Sequence, residues 1–568
     1  MRNLSPALAL LCVPIAAVAA ATPLEKLLGH VHEDDALVIV VPSMQGLTTG
    51  AAAFGKSIGV DSLSDLDARL LLEEIDLIDV ADGLDVAGPV LLTLPAGLPN
   101  PTLLITIKDA AAWQKALGVP PGAAGIFPIN GHGLARYAAI VDGVAILAGD
   151  EAGVQRALSA DGSAGKRLQA RLGPLSETAQ LVVHVEADRW QPMLAAATTA
   201  LQLSMRAGMA ASGQSDEAAL GVVEWIVRCC MEVLSQTQSL TAAARVDAQG
   251  ISAQATATFR AGGSAADYLG KVRKVRTSLL RGLPDDEDYW CISSLEWELP
   301  PGTRGLDARW LEGLLSAQKG NVRLASEGFQ KGLKATLAMY EQVTGYSVAM
   351  KRIPQRGLLV TGLYFSKQPQ PVLDGLRCSM EISPELMDAL GGGAKARLDC
   401  RTELVGSVPA QVYEMTFIAD DEQSRRVLNA IYGPTMVMWA VPHAEGVAYA
   451  SGPADAAKTQ LAQLLAPDRP RLADNPRVSA AMRRLSPDPQ ACILLDLPRL
   501  VMFALDVGRA AGAPVPQIEP PSRSADLVAV GGYLDQTTVR LEVHVPASAI
   551  EVLVRTVRTL KQSVVTQR

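Results

Sequence analysis

The stretches DGVAILAGDEAGVQRAL (Asp142–Leu158) and EGVAYASGPADAAKTQL (Glu445–Leu461) pass through the same landmarks in the same order. An acidic-Gly turn opens each, an apolar strand follows, and the strand stops at Gly149 or Gly452, where a helix begins at once. Asp150 can cap the first helix, and Pro453 suits the first turn of the second. The parallel continues downstream. RLGPLSETAQLVVHVEADRW (Arg171–Trp190) matches RLSPDPQACILLDLPRLV (Arg484–Val501) as helix end, turn, buried strand and next helix. SLTAAARVDAQGISAQATATF then matches DLVAVGGYLDQTTVRLEVHV as an alternating hairpin, and basic helices close both, AADYLGKVRKVRTSLL and SAIEVLVRTVRTLKQSV. Identities are few, so the signal is shared order at an offset of roughly 290–310 residues. No short fixed period is present, which excludes a solenoid. The pattern predicts two related α+β modules, residues 22–283 and 286–568, meeting at the charged turn Leu283-Pro-Asp-Asp-Glu-Asp288. Hairpins dominate, so each module should be a largely antiparallel sheet with helices packed on one face.

The amino end constrains the compartment. Arg2 is a short basic region, Leu8 to Val18 is an apolar run, and Ala17-Val18-Ala19 and Ala19-Ala20-Ala21 are small-residue cleavage sites. Residues 1–21 therefore read as a secretory signal peptide removed near Ala21, leaving a soluble periplasmic or secreted product. An uncleaved anchor is the alternative. The run carries Pro14 and is shorter than the ~20 apolar residues a spanning helix needs. Cys12 follows the large Leu11 in mid-run, unlike a lipidated cysteine. No later stretch suits a membrane span; Leu194–Ala211 comes nearest, and Gln202, Ser204 and Arg206 interrupt it.

Composition narrows the partners. The chain is 49% hydrophobic and 19% charged, which suits a large folded core. Aromatics are only 4% and the net charge is −8, so base-stacking platforms, nucleic-acid backbones and anionic lipids are not expected partners. Seven cysteines in 568 residues make no disulfide scaffold. If one bridge forms, Cys378 with Cys400 fits best, both read as lying beside strands around Gly391–Gly393; free buried thiols are the alternative. Adjacent Cys229 and Cys230 read as helix packing residues.

Several motifs invite a chemical reading. Gly50–Ser57, GAAAFGKS, fits the phosphate-loop pattern G-x-x-x-x-G-K-[ST]. A working phosphate loop follows its strand directly and opens a helix with its amides. Here the strand ends at Val41 or Pro42, Ser43–Gly50 intervenes, Ala51–Phe54 favours helix, and Ile58-Gly59-Val60-Asp61 stops one, so no nucleotide is expected. GHVHEDD (Gly29–Asp35) offers His30 and His32 with three carboxylates but no third histidine, and reads as the polar lead-in to a strand rather than a metal site. Asp76, Asp79, Asp82 and Asp85 recur every third residue, which fits the wet face of a helix and not the alternate positions of a calcium loop. His184 and His544 lie in alternating strands with no nucleophile nearby in sequence, and read as structural. H-E-x-x-H and C-x-x-C are absent, and no catalytic, cofactor-binding or metal residue is assigned. The terminal helix aligns Val554, Val557, Leu560 and Val564 on one stripe, outside which stand Arg555, Arg558 and Lys561; packing within its module is preferred to a membrane surface.

The two halves differ in one region. The first carries an expected helical hairpin over about 190–239, and the second the Pro-rich loop AGAPVPQIEPPSRSA; these differences are the expected carriers of specificity. The segments DDALVIVV, DGVAILAGDEAGVQRAL and EGVAYASGPADAAKTQL resemble a family of exported bacterial proteins classed only as a domain of unknown function. That resemblance implies a bacterial envelope address and no catalytic residues. The whole pattern points to a non-enzymatic binding or scaffolding protein with a protein partner. The alternatives are a hydrolase with a site between the two modules and a carrier of a small apolar ligand.

Overall fold

The computed structural model describes residues 22–68, 83–97, 100–120, 122–132, 135–191, 231–273, 279–296, 327–389, 394–419, 421–466, 469–513 and 526–566, with a few isolated positions between them. The chain forms two compact units, Met1–Thr48 with Asp67–Val182, and Thr49–Leu66 with Val183–Arg568. The class is α+β, and the strand pairings in both units are antiparallel. No described helix is long and apolar enough to cross a membrane.

In the first unit the strands are β1 (Asp35–Val41), β2 (Val90–Pro95), β3 (Thr102–Thr106), β4 (Phe127–His132), β5 (Ala135–Val141) and β6 (Val144–Ala148). Their neighbour order is β1-β2-β3-β6-β5-β4. The strand expected at Asp35–Val41 forms there, and the helix expected after Asp109 spans Ala110–Ala116, with the Asp109 carboxylate accepting from the Ala112 N–H at 3.0 Å. Gly118, expected to close that helix, takes φ +69°, a conformation glycine adopts without Cβ strain. Asp150 caps helix Glu151–Leu158 as expected, accepting from the Gly153 N–H at 2.7 Å. A Cβ on Gly153 would come 2.8 Å from that of Ala148, so glycine lets this helix lie directly against β6.

Every residue of β6 is buried. That requires cover on both faces, because successive side chains point to opposite sides. Ala145 and Leu147 pack with Ile105, Ala138 and the fully buried Trp113 of helix Ala110–Ala116. Ile146 and its partner Leu104 face the other way, where helix Glu151–Leu158 packs on β3, β5 and β6. Helices on one face alone are therefore not what forms. The apolar runs of the inner strands carry no polar face to leave in water, so both sides are covered.

β7 (Leu181–Glu186) leads along the chain into the second unit. There the strands are β8 (Thr237–Asp247), β9 (Gly250–Phe259), β10 (Cys291–Glu296), β11 (Gly345–Ile353), β12 (Gly357–Phe365), β13 (Ala394–Val405), β14 (Val408–Ala419), β15 (Thr435–His443), β16 (Gly446–Gly452), β17 (Ala491–Leu495), β18 (Val528–Asp535) and β19 (Thr538–Pro546). They pair in the order β8-β9-β19-β18-β17-β10-β11-β12-β16-β15-β14-β13. Around β12, β15 and β16 both faces are again closed. Leu359, Leu363, Trp439 and Ala448 pack with Ala457, Leu461 and Leu464 of helix Ala454–Leu465. Tyr449, Val447 and Met438 pack on the opposite side with Met339 of helix Glu327–Gln342 and Val372, Leu373 and Leu376 of helix Pro369–Ala389.

The charged turn at Leu283–Asp288 lies within this unit and is pinned. Asp285 accepts from Asn475 Nδ2 at 2.8 Å, Asp286 pairs with Lys351, and Asp288 lies 3.3 Å from Arg499. The terminal helix, Ala547–Thr566, packs through Ile550 and Val554 onto Val246 and Ile251 of hairpin β8–β9 and onto Phe54 and Ile58, while Val557 is exposed. Cys291, Cys378, Cys400 and Cys492 are free thiols, and Cys378 lies inside helix Pro369–Ala389 rather than beside a strand. Cys229, Cys230, most of the helical hairpin expected over 190–239, and residues 516–525 of the Pro-rich loop lie outside the described residues.

Candidate functional site

Hairpins β8–β9 and β18–β19 alternate in sequence, and the register shows which residues share a face. Directly opposed residues of an antiparallel pair point the same way. Leu240, Ala242, Ala244 and Val246 of β8 oppose Ala257, Ala255, Ala253 and Ile251 of β9. Those oppose Val539, Leu541, Val543 and Val545 of β19. The row runs on through Leu534, Gly532 and Val530 of β18 to Ala491 and Ile493 of β17. No polar or charged side chain interrupts this face across five strands.

The opposite face is apolar and buried on β17 and β18, through Cys492, Leu494 and Ala529, and polar on β19, through Arg540, Glu542 and His544. Glu542 accepts from the Ser486 N–H at 2.8 Å, the Ser486 hydroxyl at 2.6 Å and the Tyr533 hydroxyl at 3.0 Å, and the Arg540 guanidinium lies 4.1 Å from the centre of the Tyr533 ring. Burial pushes the Glu542 carboxyl up, but the Ser486 and Tyr533 hydrogen bonds and Arg540 outweigh it and hold the group below its ordinary range. On β18 the residues of this side, Ala529, Gly531 and Tyr533, are buried. The apolar face stays open in its middle: Leu541 is 46% exposed, Ile493 40% and Leu240 36%, and Ala242, Ala253 and Ala255 are also exposed. At the end near Val246 and Ile251 the terminal helix packs on it. A contiguous open apolar surface of this kind is the mark of a binding face.

The motif residues fall elsewhere. Gly50–Ser57 lies wholly within helix Met44–Ile58, and Ser57 Oγ donates to the Phe54 carbonyl at 2.7 Å. Amides in a helix interior donate along the helix and cannot cradle a phosphate. His30 Nδ1 lies 3.3 Å from the Ala157 carbonyl, whereas His32 Nδ1 lies 3.3 Å from Asp34 and the His32 N–H donates to Asp35, so the two rings serve different partners. Among the described residues no group of three or more His, Cys, Asp or Glu could hold a metal ion. Asp76, Asp79 and Asp82 lie outside the described residues, and Asp85 accepts from the Ala87 N–H in a local turn.

Strand pairing brings a hydroxyl to each strand histidine, which their sequence neighbourhoods do not reveal. His184 Nδ1 lies 2.8 Å from Thr241 Oγ1, and its Nε2 lies 3.3 Å from Glu186. The order hydroxyl, imidazole, carboxylate is that of a nucleophile triad. His184 is buried to 1% exposure, however, so no substrate can reach the imidazole from solvent. His544 opposes Ser252 across β19 and β9, with Nδ1 3.0 Å from Ser252 Oγ. Burial pushes its pKa down, and Arg484 adds to that. Both pairs read as cross-strand hydrogen bonds that hold a buried imidazole.

Compared with protein families, with curated protein sequences and with solved structures, the chain finds no match.

Proposed function

We propose that this is an exported bacterial envelope protein that binds or scaffolds a protein partner without catalysing a reaction. The open apolar face of β8, β9, β19, β18 and β17 carries the proposal. Covering Leu541, Ile493 and Leu240 with a partner would stabilise the complex by about 1 kcal/mol or more for each side chain. The face is open and lined by alanine and valine, which fits the broad apolar surface of a protein better than the enclosed site of a small ligand. The signal-like amino end and the resemblance to exported proteins of unknown function support the periplasmic or secreted address.

We infer further that residues 22–283 and 286–568 descend from one duplicated module. The neighbour order β1-β2-β3-β6-β5-β4 within the first unit has the form of β10-β11-β12-β16-β15-β14 within the second. Helices Glu151–Leu158 and Ala454–Leu465 follow the equivalent strands β6 and β16. In this correspondence β13 and helix Glu422–Tyr432 belong to the second copy alone.

A photo-crosslinking residue placed in turn at Leu541, Ile493 and Ala255 tests the function in envelope-expressed protein. The expected result is the same adduct from all three positions and none from Arg425, an exposed site on helix Glu422–Tyr432. Adducts from Arg425 alone, or from no position, would sink the proposal.

A further inference from the structure

β13 closes one edge of the second unit's sheet: among the described residues it pairs with β14 alone. It runs twelve residues, AKARLDCRTELV, and the two-residue loop Gly406-Ser407 sets its backbone phase. Val405 and Val408 flank that loop as a directly opposed pair, so they exchange hydrogen bonds with each other. Every second residue back from there, Glu403, Arg401, Asp399 and Arg397, turns its N–H and C=O toward β14. Ala396, Leu398, Cys400, Thr402 and Leu404 turn theirs outward, to an edge where no strand pairs among the described residues. Long exposed edges are templates for another strand.

The side chains specify which strand. Lys395, Arg397, Asp399, Arg401 and Glu403 share one face in the order + + − + −, and all but the half-buried Glu403 are exposed. Cys400 and Leu404 lie on the other face, also exposed, Leu404 at 61%. We propose that two copies of this chain pair antiparallel through β13, with the two-fold axis at Cys400. This register sets Asp399 against the partner's Arg401 and Arg397 against the partner's Glu403, each pair occurring twice by symmetry. It also places the outward-turned residues opposite one another, Cys400 on Cys400, Leu398 on Thr402 and Ala396 on Leu404, as the hydrogen-bond phase requires. Moving the axis by one residue to Asp399 opposes two aspartates and sets Arg397 on Arg401 twice, which outweighs the two Lys395–Glu403 pairs it would gain. Moving it to Arg401 opposes two arginines and sets Asp399 on Glu403 twice. Charge therefore selects the Cys400 register over both neighbours. Within one copy the same groups pair locally, Arg397 with Asp399 at 3.4 Å and Arg401 with Glu403 at 2.7 Å, so the charges are already ordered on the face that would meet a partner.

Sedimentation velocity of the purified protein tests the proposal. A concentration-dependent dimer is expected, and Arg401→Glu should weaken it by roughly tenfold or more, because two attractive pairs become two repulsive ones. The double variant Asp399→Arg with Arg401→Glu exchanges the charges and should restore dimerisation; circular dichroism checks that each variant is folded. Added diamide should oxidise the two Cys400 thiols to one disulfide, the two protons and two electrons passing to its N=N bond. Cys400→Ser should abolish that crosslink and Cys378→Ser should leave it. A monomer at all accessible concentrations overturns the proposal. So does a dimer insensitive to Arg401→Glu, or a double variant no tighter than the single one.

Discussion

Replacing Asp496 by alanine should open the second unit locally around helix Leu497–Ala510. The Asp496 side chain is fully buried, accepts from Arg477 Nη2 at 2.5 Å, and lies 3.5 Å from Arg499 Nε. It also caps the helix, accepting from the Arg499 N–H at 3.1 Å. Removing one member of a buried ion pair costs about 3–5 kcal/mol, and the low end applies because both arginines are partly exposed and can turn to water. Loss of the cap adds about 1 kcal/mol. Asp496→Ala should therefore lower local stability by roughly 3–4 kcal/mol, a 100- to 1000-fold loss of amide protection. Asp496→Asn keeps an acceptor for the Arg499 N–H and should lose only about half as much. Hydrogen exchange of a peptide covering residues 490–510, read by mass spectrometry, measures both. Protection in Asp496→Ala within about tenfold of the parent would refute the assignment, as would equal losses in the two variants.

Further outcomes follow from the same geometry. Burial pushes the pKa of His443 and His544 down, so as pH falls through about 6.5 the unfolded chain takes up protons that the folded chain refuses; thermal stability should decline from about pH 7.5 to about pH 5.5. His544→Gln should flatten that slope, and a slope of opposite sign in calorimetric scans would contradict the reading. A Cβ at Gly362 would lie 2.5 Å from the Tyr449 ring, which is buried and stacked on Tyr364 at 5.1 Å, so Gly362→Ala should cost about 1–3 kcal/mol in urea denaturation. Tyr449→Leu in the same chain should recover part of that loss. Leu541→Asp should leave the urea midpoint nearly unchanged, whereas Leu494→Asp, two strands away on the buried side, should prevent folding or lower the midpoint severely; equal effects would mean the apolar face is closed.

Much of the local structure was legible in the residues. Asp35–Val41 is a strand because its branched apolar run ends at Pro42 and Ser43. Asp109 and Asp150 cap helices because a short acceptor there satisfies free amides. The alternation in hairpins β8–β9 and β18–β19 was equally plain. The site was not. Alternation says that Leu541 and Glu542 point apart, but not which of them meets the rest of the protein, and here it is Glu542, held by Ser486 and Tyr533. Likewise, the nucleophile-like partners of His184 and His544 arrive from strands distant in sequence, Thr241 on β8 and Ser252 on β9.

From its residues alone, then, the chain determines where strands and helices begin and end, because caps, turns and side-chain periods act over a few residues. Tertiary structure alone decides which faces are covered, which strand stands at the edge, and which apolar row is left to water. Those outcomes depend on pairings such as β9 with β19 and β10 with β17, between segments far apart in the chain, and no local period encodes them.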